Sequence, residues 1–243
     1  MIRATGLTKA FGGTPILRGI DVHVRRGHIL GIVGPGGVGK SVLLKMLCGL
    51  LAPDAGQVQV DGQDLASLEG VPLARLRERF GFLFQNYALF DFMDVGDNVG
   101  FPLDQMGGLE PAEIRERVAR RLAEVELPGV ERLFANQLSG GMKKRVALAR
   151  ATIANAPILL YDDPTAGLDP VTSSKIFALV RRLHSPDGAT VIVSHDIDRM
   201  LPVCDEWLLL HEGRVWFHGD TAAVEASTDE VVRTFFQGGD VRV

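Results

Sequence analysis

The fold of this 243-residue chain is decided by the stretch Gly34-Pro35-Gly36-Gly37-Val38-Gly39-Lys40-Ser41. It fits a phosphate-binding loop, because an apolar run precedes it and an apolar, helix-like stretch, Ser41–Leu51, begins at its end. The glycines allow backbone N–H groups to wrap phosphates, Lys40 reaches the β- and γ-oxygens, and the Ser41 hydroxyl ligates Mg²⁺. We therefore expect this loop, with Val42 behind it, to bind a nucleotide; a glycine-rich surface turn is the weaker alternative.

Beyond this loop, short strand-like runs alternate with helix-like segments. The runs Ile158–Tyr161 and Ala189–Val193 flank a helical segment, and such alternation indicates an α/β fold with a mostly parallel, covered sheet. In the middle of the chain the spacing becomes helical, with Pro111 at a first-turn position and apolar residues at Ile114, Val118, Leu122 and Val125. We expect a single domain over residues 1–243, with a core of 1–86 and 156–243 and a helical subdomain of approximately 87–155.

Composition limits the class of protein to which this sequence can belong. The formal net charge of −4 gives no reason to expect a nucleic-acid partner. Cys48 and Cys204 lie far apart in apolar surroundings, so we expect buried, reduced thiols. The sequence has no apolar run long enough to cross a bilayer and no pattern of a secretory signal at its start. We therefore expect a cytosolic protein, unless a membrane-bound partner holds it.

Two adjacent carboxylates, Asp162 and Asp163, end the apolar run Ile158–Tyr161. Because side chains alternate along a strand, the two face different directions and can have different roles. We expect Asp162 to hold Mg²⁺ through water, and Asp163 to polarise the water that attacks the γ-phosphate. An acidic turn after a buried strand is the alternative.

Three further side chains are candidates for the same site. His195 follows an apolar run, at the strand end where parallel sheets bind ligands, and can donate to the γ-phosphate and orient the water. Gln85 also ends a strand and can reach both Mg²⁺ and water, and Phe11 could stack on a base. The alternatives are a structural histidine, a polar loop residue and a core phenylalanine.

A second phosphate-binding element is indicated by Leu138-Ser139-Gly140-Gly141-Met142. The serine and the two glycines expose backbone N–H groups at the start of an apolar helical segment, and a helix N-terminus attracts phosphate. A chain with two phosphate-binding elements needs an arrangement in which both elements reach the same nucleotide. The simplest arrangement is two copies of the chain that close face to face on nucleotide.

Together with Ala166-Gly167-Leu168-Asp169, these motifs resemble in their order the nucleotide-binding subunit of an ABC transporter. The resemblance covers almost the whole chain. It implies a P-loop NTPase of ABC type, in which a mostly parallel sheet core carries an antiparallel β subdomain and an inserted helical subdomain. It also implies ATP and Mg²⁺ as ligands and a head-to-tail homodimer, where Ser139 and Gly141 of one subunit complete the ATP site on the other's loop. Asp169 would then lie at the dimer seam and help link the two sites.

Two positions depart from the family pattern. Asp163 stands where most members have Glu; the lost methylene withdraws the carboxylate by roughly 1.5 Å, so we expect slow ATP hydrolysis unless the loop shifts. Met142 stands where Gln is usual. With the segments 83–91 and 95–99, it resembles the ATPases of Mla/Mce-type lipid trafficking systems. This resemblance implies an integral-membrane permease and an Mce-domain protein that carries phospholipid or another hydrophobic molecule.

Aromatic residues are concentrated between Phe80 and Phe101. We expect Phe90, Phe92 and Met93 to line a groove that receives a short helix of the permease. Local packing of the helical insertion is the alternative. Such docking would hold the chain peripherally on the cytoplasmic face of the inner (plasma) membrane.

Other assignments are compatible with the same motifs. They are an ABC ATPase of another import system, a soluble ABC-type ATPase such as an Fe–S assembly component, and a binding switch that hydrolysis only resets. DNA-repair members need a long coiled coil, and the sequence has no sustained heptads. Simple P-loop kinases and GTPases lack the second phosphate-binding helix.

Overall fold

The computed structural model describes residues 1–236. Its strands are β1 (Ile2–Phe11), β2 (Thr14–Val24), β3 (Ile29–Val33), β4 (Ala55–Val60), β5 (Gln63–Asp64), β6 (Phe80–Leu83), β7 (Ile158–Asp162), β8 (Ala189–Val193), β9 (Glu206–His211) and β10 (Arg214–Asp220). Its α-helices are α1 (Lys40–Leu47), α2 (Gly70–Arg77), α3 (Val95–Met106), α4 (Pro111–Glu124), α5 (Gly140–Thr152), α6 (Pro170–Leu183), α7 (Ile197–Met200), α8 (Thr221–Ala226) and α9 (Glu230–Phe236). Within this part of the chain, none of the helices combines the length and the apolar character that a bilayer crossing requires.

A six-stranded sheet has the strand order β10-β9-β3-β8-β7-β6. The strands from β9 to β6 in this order run parallel, and β10 pairs antiparallel with β9 at the edge. Every residue of β3, β7 and β8 is buried, which accounts for their nearly continuous apolar sequences. The predicted α/β class with a mostly parallel core is confirmed.

Alternation along the central strands divides the core into two clusters. In β7, Leu159 and Tyr161 belong to the cluster formed with α3, α4, α5 and α6, and Ile158 and Leu160 belong to the opposite one. That opposite cluster contains α1 and a four-stranded antiparallel sheet with the order β2-β1-β4-β5. The large sheet is therefore covered by helices on one face, and by α1 and the small sheet on the other.

The helices α3, α4 and α5 lie between β6 and β7 in the chain. Pro111 is the first residue of α4, and the expected apolar spacing buries Val118 and Leu122. At the start of α3, the Asp94 carboxylate accepts a hydrogen bond from the Asp97 N–H. α5 packs against β6 and α3, which fixes the position of its N-terminus relative to the sheet.

Two local features differ from the sequence expectations. The apolar run after the phosphate-binding loop predicts a helix to Leu51, but α1 ends at Leu47, because Cys48 is its cap and Gly49 has a φ of 70°. The helix α2 is not predicted from the sequence. Only Leu76 of α2 is buried, so the segment lacks the apolar periodicity that reveals a helix.

Gly81 permits the close approach of β6 to α5. A Cβ atom at this position would lie 1.9 Å from the Ala151 carbonyl oxygen, which cannot yield unless the backbone of α5 moves. We expect Gly81→Ala to lower the free energy of unfolding by about 2–3 kcal/mol in urea titrations. The matched control is Gly36→Ala, because a Cβ at Gly36 meets nothing within 4 Å. Equal unfolding midpoints for the two variants would contradict this account.

Candidate functional site

Four neighbouring strand ends form the candidate site. The parallel strands β3, β8, β7 and β6 are adjacent in the large sheet, and the loops at their carboxyl ends meet at one edge. They border a cleft of about 310 Å³ that is lined by Gly37, Gly39, Lys40, Ser41, Val42, Gln85, Asp162, Asp163, Val193 and His195. This is the edge at which open α/β sheets bind ligands. The structure thus brings together the loop, strand-end and histidine residues that the sequence singled out.

The phosphate-binding loop presents a cation to the cleft. Lys40 is the first residue of α1, and its buried ammonium donates to the carbonyl oxygens of Gly34 and Pro35, both at 2.8 Å. Burial lowers the pKa of Lys40 to about 8, although the carboxylates of Asp163 and Asp162 oppose the shift. The N-terminus of α1 and this ammonium together suit the site to phosphate groups.

The two carboxylates at the carboxyl end of β7 have different partners, because Asp162 is the last residue of the strand and the backbone turns at Asp163. Asp162 accepts a hydrogen bond from the Ser41 hydroxyl at 2.8 Å. Burial raises the pKa of Asp162, while the bond from Ser41 opposes that shift. Asp163 lies in the left-handed region with a φ of 48°, and its carboxylate accepts a hydrogen bond from the Ser194 hydroxyl at 3.1 Å.

Gln85 and His195 lie on the wall of the same cleft, and both side chains are exposed to solvent. Partial loss of hydration lowers the pKa of His195; the Lys40 ammonium acts in the same direction, and Asp163 opposes it. The imidazole is therefore neutral at pH 7 and has one N–H group to donate.

The Ser139–Met142 turn is outside the cleft lining. Ser139 is the exposed N-cap of α5 and accepts a hydrogen bond from the Met142 N–H at 3.3 Å. Gly140 is also exposed, and a Cβ at Gly141 would lie 2.9 Å from the Thr172 Cγ2 atom, so the turn packs closely on the start of α6.

Asp169 lies beside this turn as the N-cap of α6. Its carboxylate accepts hydrogen bonds from the Thr172 hydroxyl and from the N–H groups of Val171 and Thr172. The bond from the Thr172 hydroxyl is the main cause of a lowered pKa of Asp169. The two predicted dimer-seam elements are thus neighbours on one exposed surface.

Phe11 also lies outside the cleft lining. It is the last residue of β1 and is 48% exposed, and the Lys9 ammonium lies 5.7 Å from its ring centroid. Such exposure excludes the core role that was the alternative for this phenylalanine.

Two residues that contact the site are missed by sequence reasoning. One is Ser194, whose hydroxyl binds Asp163; its place after a buried strand is the only signal for it. The other is Lys144, a buried residue of α5 whose ammonium donates to the Gln85 and Asp163 carbonyl oxygens. Its helical phase is a usable signal, because it shares the spacing i, i+3, i+4 and i+7 with the buried residues Ala147, Leu148 and Ala151.

A parallel sheet whose strand ends hold a phosphate-binding loop, two carboxylates and a histidine defines a P-loop nucleotide hydrolase. The ABC transporter family model matches residues 17–166, and the chain belongs to this family as an ATP-binding subunit. The expected ABC-type fold and ATP hydrolysis are therefore confirmed.

Known proteins resemble most of the chain. It is 39% identical to protein TRIGALACTOSYLDIACYLGLYCEROL 3, chloroplastic, of Arabidopsis thaliana, over 98% of this chain and 74% of that one. It is 37% identical to the intermembrane phospholipid transport system ATP-binding protein MlaF of Escherichia coli (strain K12), over 93% of this chain and 85% of that one. The ATP-binding cassette MJ0796, solved as a dimer in a post-hydrolysis state with ADP and Pi, matches with a TM-score of 0.83 and 33% identity, over 90% of this chain and 98% of that one.

The low pKa of Lys40 predicts proton uptake when ATP binds in alkaline solution. With a pKa of about 8, Lys40 is largely neutral at about pH 8.5 in the free protein, and we expect the phosphates of bound ATP to favour its charged form. We expect uptake of roughly three quarters of a proton at about pH 8.5 and almost none from Lys40 at about pH 6.5. Calorimetric titrations in buffers of different ionisation enthalpy measure this uptake.

The matched control is Lys40→Arg, because a guanidinium stays charged throughout this range. We expect this variant, titrated at higher ATP concentrations, to bind without proton uptake at about pH 8.5. The same uptake in both proteins would show that another group titrates.

Proposed function

We propose that this chain is the ATPase subunit of a membrane transporter for phospholipid or another hydrophobic molecule, of the Mla/Mce type. Support for the ATP site comes from the cleft in which Lys40, Ser41, Asp162, Asp163 and His195 converge. Support for the lipid substrate comes from the similarity to MlaF, whose name assigns that protein to intermembrane phospholipid transport.

In this proposal, the residues from Gly34 to Val42 bind the ATP phosphates, with Lys40 on the β- and γ-oxygens. Ser41, Gln85 and Asp162 hold Mg²⁺; their hydroxyl, amide and carboxylate oxygens are the hard donors that this ion prefers. The 2.8 Å separation of the Ser41 and Asp162 oxygens fits such a role, because both can face one ion. The ion, when bound, neutralises charge on the phosphate oxygens.

The Asp163 carboxylate accepts a hydrogen bond from the attacking water. This bond polarises the water, whose oxygen then attacks the γ-phosphorus. The Ser194 hydroxyl holds one oxygen of this carboxylate, which leaves the other free for the water. His195 donates its N–H to a γ-phosphate oxygen, and its lowered pKa favours the neutral donor form. As the water oxygen bonds to the γ-phosphorus, the bond to the bridging oxygen breaks and ADP leaves with its electron pair, while the proton lost by the water passes to the released phosphate. The Lys40 ammonium stabilises the charge that develops.

Two copies of the chain close head to tail on two ATP molecules. The Ser139 turn supports this arrangement, because it lies away from the cleft of its own chain and its residues Ser139 and Gly140 are exposed to a partner. Ser139, Gly140, Gly141 and Met142 then contact the γ-phosphate held by the partner. Asp169, adjacent to this turn, lies at the seam. Phe11, exposed at the end of β1, stacks on the adenine base.

The permease docks beside Phe90, Phe92 and Met93. Phe92 is 78% exposed and its ring centroid lies 5.7 Å from that of Phe90, which in turn packs on Phe101 at 5.0 Å. Met93 and Phe101 line an adjoining groove of about 490 Å³.

The chemistry of this groove supports an amphipathic helix as the docking element. Its lining includes the apolar side chains of Leu109, Ile114 and Val118. Four carboxylates (Asp94, Asp97, Asp104 and Glu131) outnumber two guanidinium groups (Arg115 and Arg132) in the same lining. A short permease helix with apolar anchors and a basic residue at its edge matches this surface. Such docking holds the chain peripherally on the cytoplasmic face of the membrane, where an Mce-domain protein completes the complex.

The role of Asp163 is tested by two substitutions. We expect Asp163→Asn to lower kcat for phosphate release by roughly a hundredfold or more, because an amide cannot polarise water as a base does. Asp163→Glu is expected to equal or exceed the wild-type rate, because the added methylene restores the reach of the carboxylate. Full turnover by the Asn variant, with ATP binding intact, would contradict the role.

Permease docking is tested by charge substitution on the exposed aromatic pair. We expect Phe92→Asp to weaken association with the permease by roughly 2 kcal/mol, about thirtyfold in affinity, since exposed aromatics are typical interface anchors. Co-elution from detergent-solubilised membranes measures this, and the wild-type eluate is expected to contain an Mce-domain protein and phospholipid.

The matched control for docking is Val71→Asp, a charge placed on a 65% exposed apolar residue of α2. This variant is expected to retain the permease. Normal co-elution of Phe92→Asp would place docking elsewhere, and an eluate without any membrane protein would favour a soluble ATPase.

A further inference from the structure

Lys144 is a fully buried cation that the reaction steps above do not use. It lies in α5 near the Ser139 turn, and its side chain is 0% exposed. A buried ammonium is costly unless its donors are satisfied. The groups that accept hydrogen bonds from the Lys144 ammonium therefore indicate its role.

The Lys144 ammonium joins two segments of the active site. It donates to the Gln85 carbonyl oxygen at 2.8 Å and to the Asp163 carbonyl oxygen at 3.0 Å. It also lies 4.9 Å from the centroid of the Tyr87 ring, a favourable cation–π distance. Gln85 follows β6 and Asp163 follows β7, so one side chain holds the two neighbouring strand ends at which both of these residues stand.

Stability alone is a weak reason for a charge at this position. Burial lowers the pKa of Lys144, and the Asp163 and Asp162 carboxylates only oppose that shift. In other proteins, even whole buried ion pairs can often be replaced by well-packed apolar side chains without loss of stability. An apolar residue at position 144 would have no donor for the carbonyl oxygens of Gln85 and Asp163. The link between the two strand ends would then be lost.

The same helix carries the exposed Ser139 turn. Ser139 caps α5, and Lys144 follows within the next turns of the helix, so the two residues move as parts of one rigid element. A displacement of the turn therefore displaces the ammonium, and the carbonyl oxygens bound to it follow.

We propose that Lys144 is a positioning residue for ATP hydrolysis, which ties Gln85 and Asp163 to the helix that presents the Ser139 turn. The inference rests on the proposed roles of Gln85, Asp163 and Ser139. Contact of the turn with nucleotide on the partner adjusts, through Lys144, the placement of Gln85 and Asp163 at the subunit's own ATP. Each subunit thus becomes competent for hydrolysis when its turn is engaged.

The test compares Lys144→Met, Lys144→Arg and Lys144→Gln in the full chain. Mant-ATP titration counts nucleotide sites and gives the affinity, and phosphate release gives KM and kcat per titrated site. We expect Lys144→Met to lower kcat per site by roughly 10–100-fold, because misplacement of reacting groups by about 1 Å has such an effect. KM and mant-ATP affinity are expected to stay within about threefold, since the Lys144 ammonium donates its hydrogen bonds to Gln85 and Asp163 and not to the phosphate-binding loop.

Lys144→Arg is expected to recover most of kcat, because a guanidinium can donate to both carbonyl oxygens. Lys144→Gln keeps a hydrogen-bond donor that is neutral and shorter, so its kcat per site is expected to lie between those of Lys144→Arg and Lys144→Met. This variant still tests the proposal if Lys144→Met does not fold. The control is Lys143→Met, one position along the helix: its backbone N–H donates to the Ser139 carbonyl oxygen, but its side chain makes no hydrogen bond or ion pair within residues 1–236. This control is expected to keep the wild-type kcat per site.

A merely structural role would reduce the number of titrated sites and leave kcat per site unchanged. That result for Lys144→Met would overturn the proposal, as would wild-type kcat in Lys144→Gln or a parallel loss of mant-ATP affinity. Loss of turnover in Asp163→Asn with normal turnover in Lys144→Met would reject this inference alone. Normal turnover in Asp163→Asn would instead reject the proposed role on which it rests.

Discussion

Parallel pairing of β3, β8, β7 and β6 is the constraint on which the site depends. Neighbouring strands lie roughly 4.8 Å apart, so their carboxyl ends bring residues distant in sequence to one edge. Both faces of β3, β7 and β8 are buried in two separate clusters, which fixes their register. A slip by one residue in β7 would exchange the faces of Leu160 and Tyr161 and carry Asp162 away from Ser41. The placement of the carboxylates is therefore a consequence of core packing.

This edge concentrates charge before any ligand arrives. Lys40, Lys144 and Asp162 are all buried, and each has a hydrogen-bond partner in the chain: loop carbonyls, strand-end carbonyls and the Ser41 hydroxyl. Their pKa values move in the directions that burial dictates, down for the lysines and up for the aspartate. Oriented groups of this kind need little reorganisation when charge develops on a phosphate, which is the main electrostatic source of catalysis.

The sequence predicts the parts of the site that depend on local chemistry. The phosphate-binding loop, the two carboxylates that end an apolar strand and the serine-glycine turn at the start of a helix each have a pattern that physical reasoning can interpret. The partners of these residues come from strand order and helix phase: Ser194 meets Asp163 only because β8 lies beside β7, and Lys144 reaches both strand ends only because α5 packs there. The charged run around Lys144 hides its burial, and α2 escapes prediction because only Leu76 of that helix is buried.

The separation of the Ser139 turn from the cleft explains why ATP can drive closure in the proposed dimer. A ligand shifts an equilibrium only by its difference in affinity for the two states. If one chain carried all the phosphate donors, ATP would bind the open and closed pairs equally well and would do no work on the permease. The turn lies on an exposed surface apart from the cleft. In the proposed dimer it therefore contacts the γ-phosphate only when the pair is closed. In the same proposal, release of that phosphate removes the difference in affinity, and slow hydrolysis by the shorter carboxylate of Asp163 would prolong the closed state.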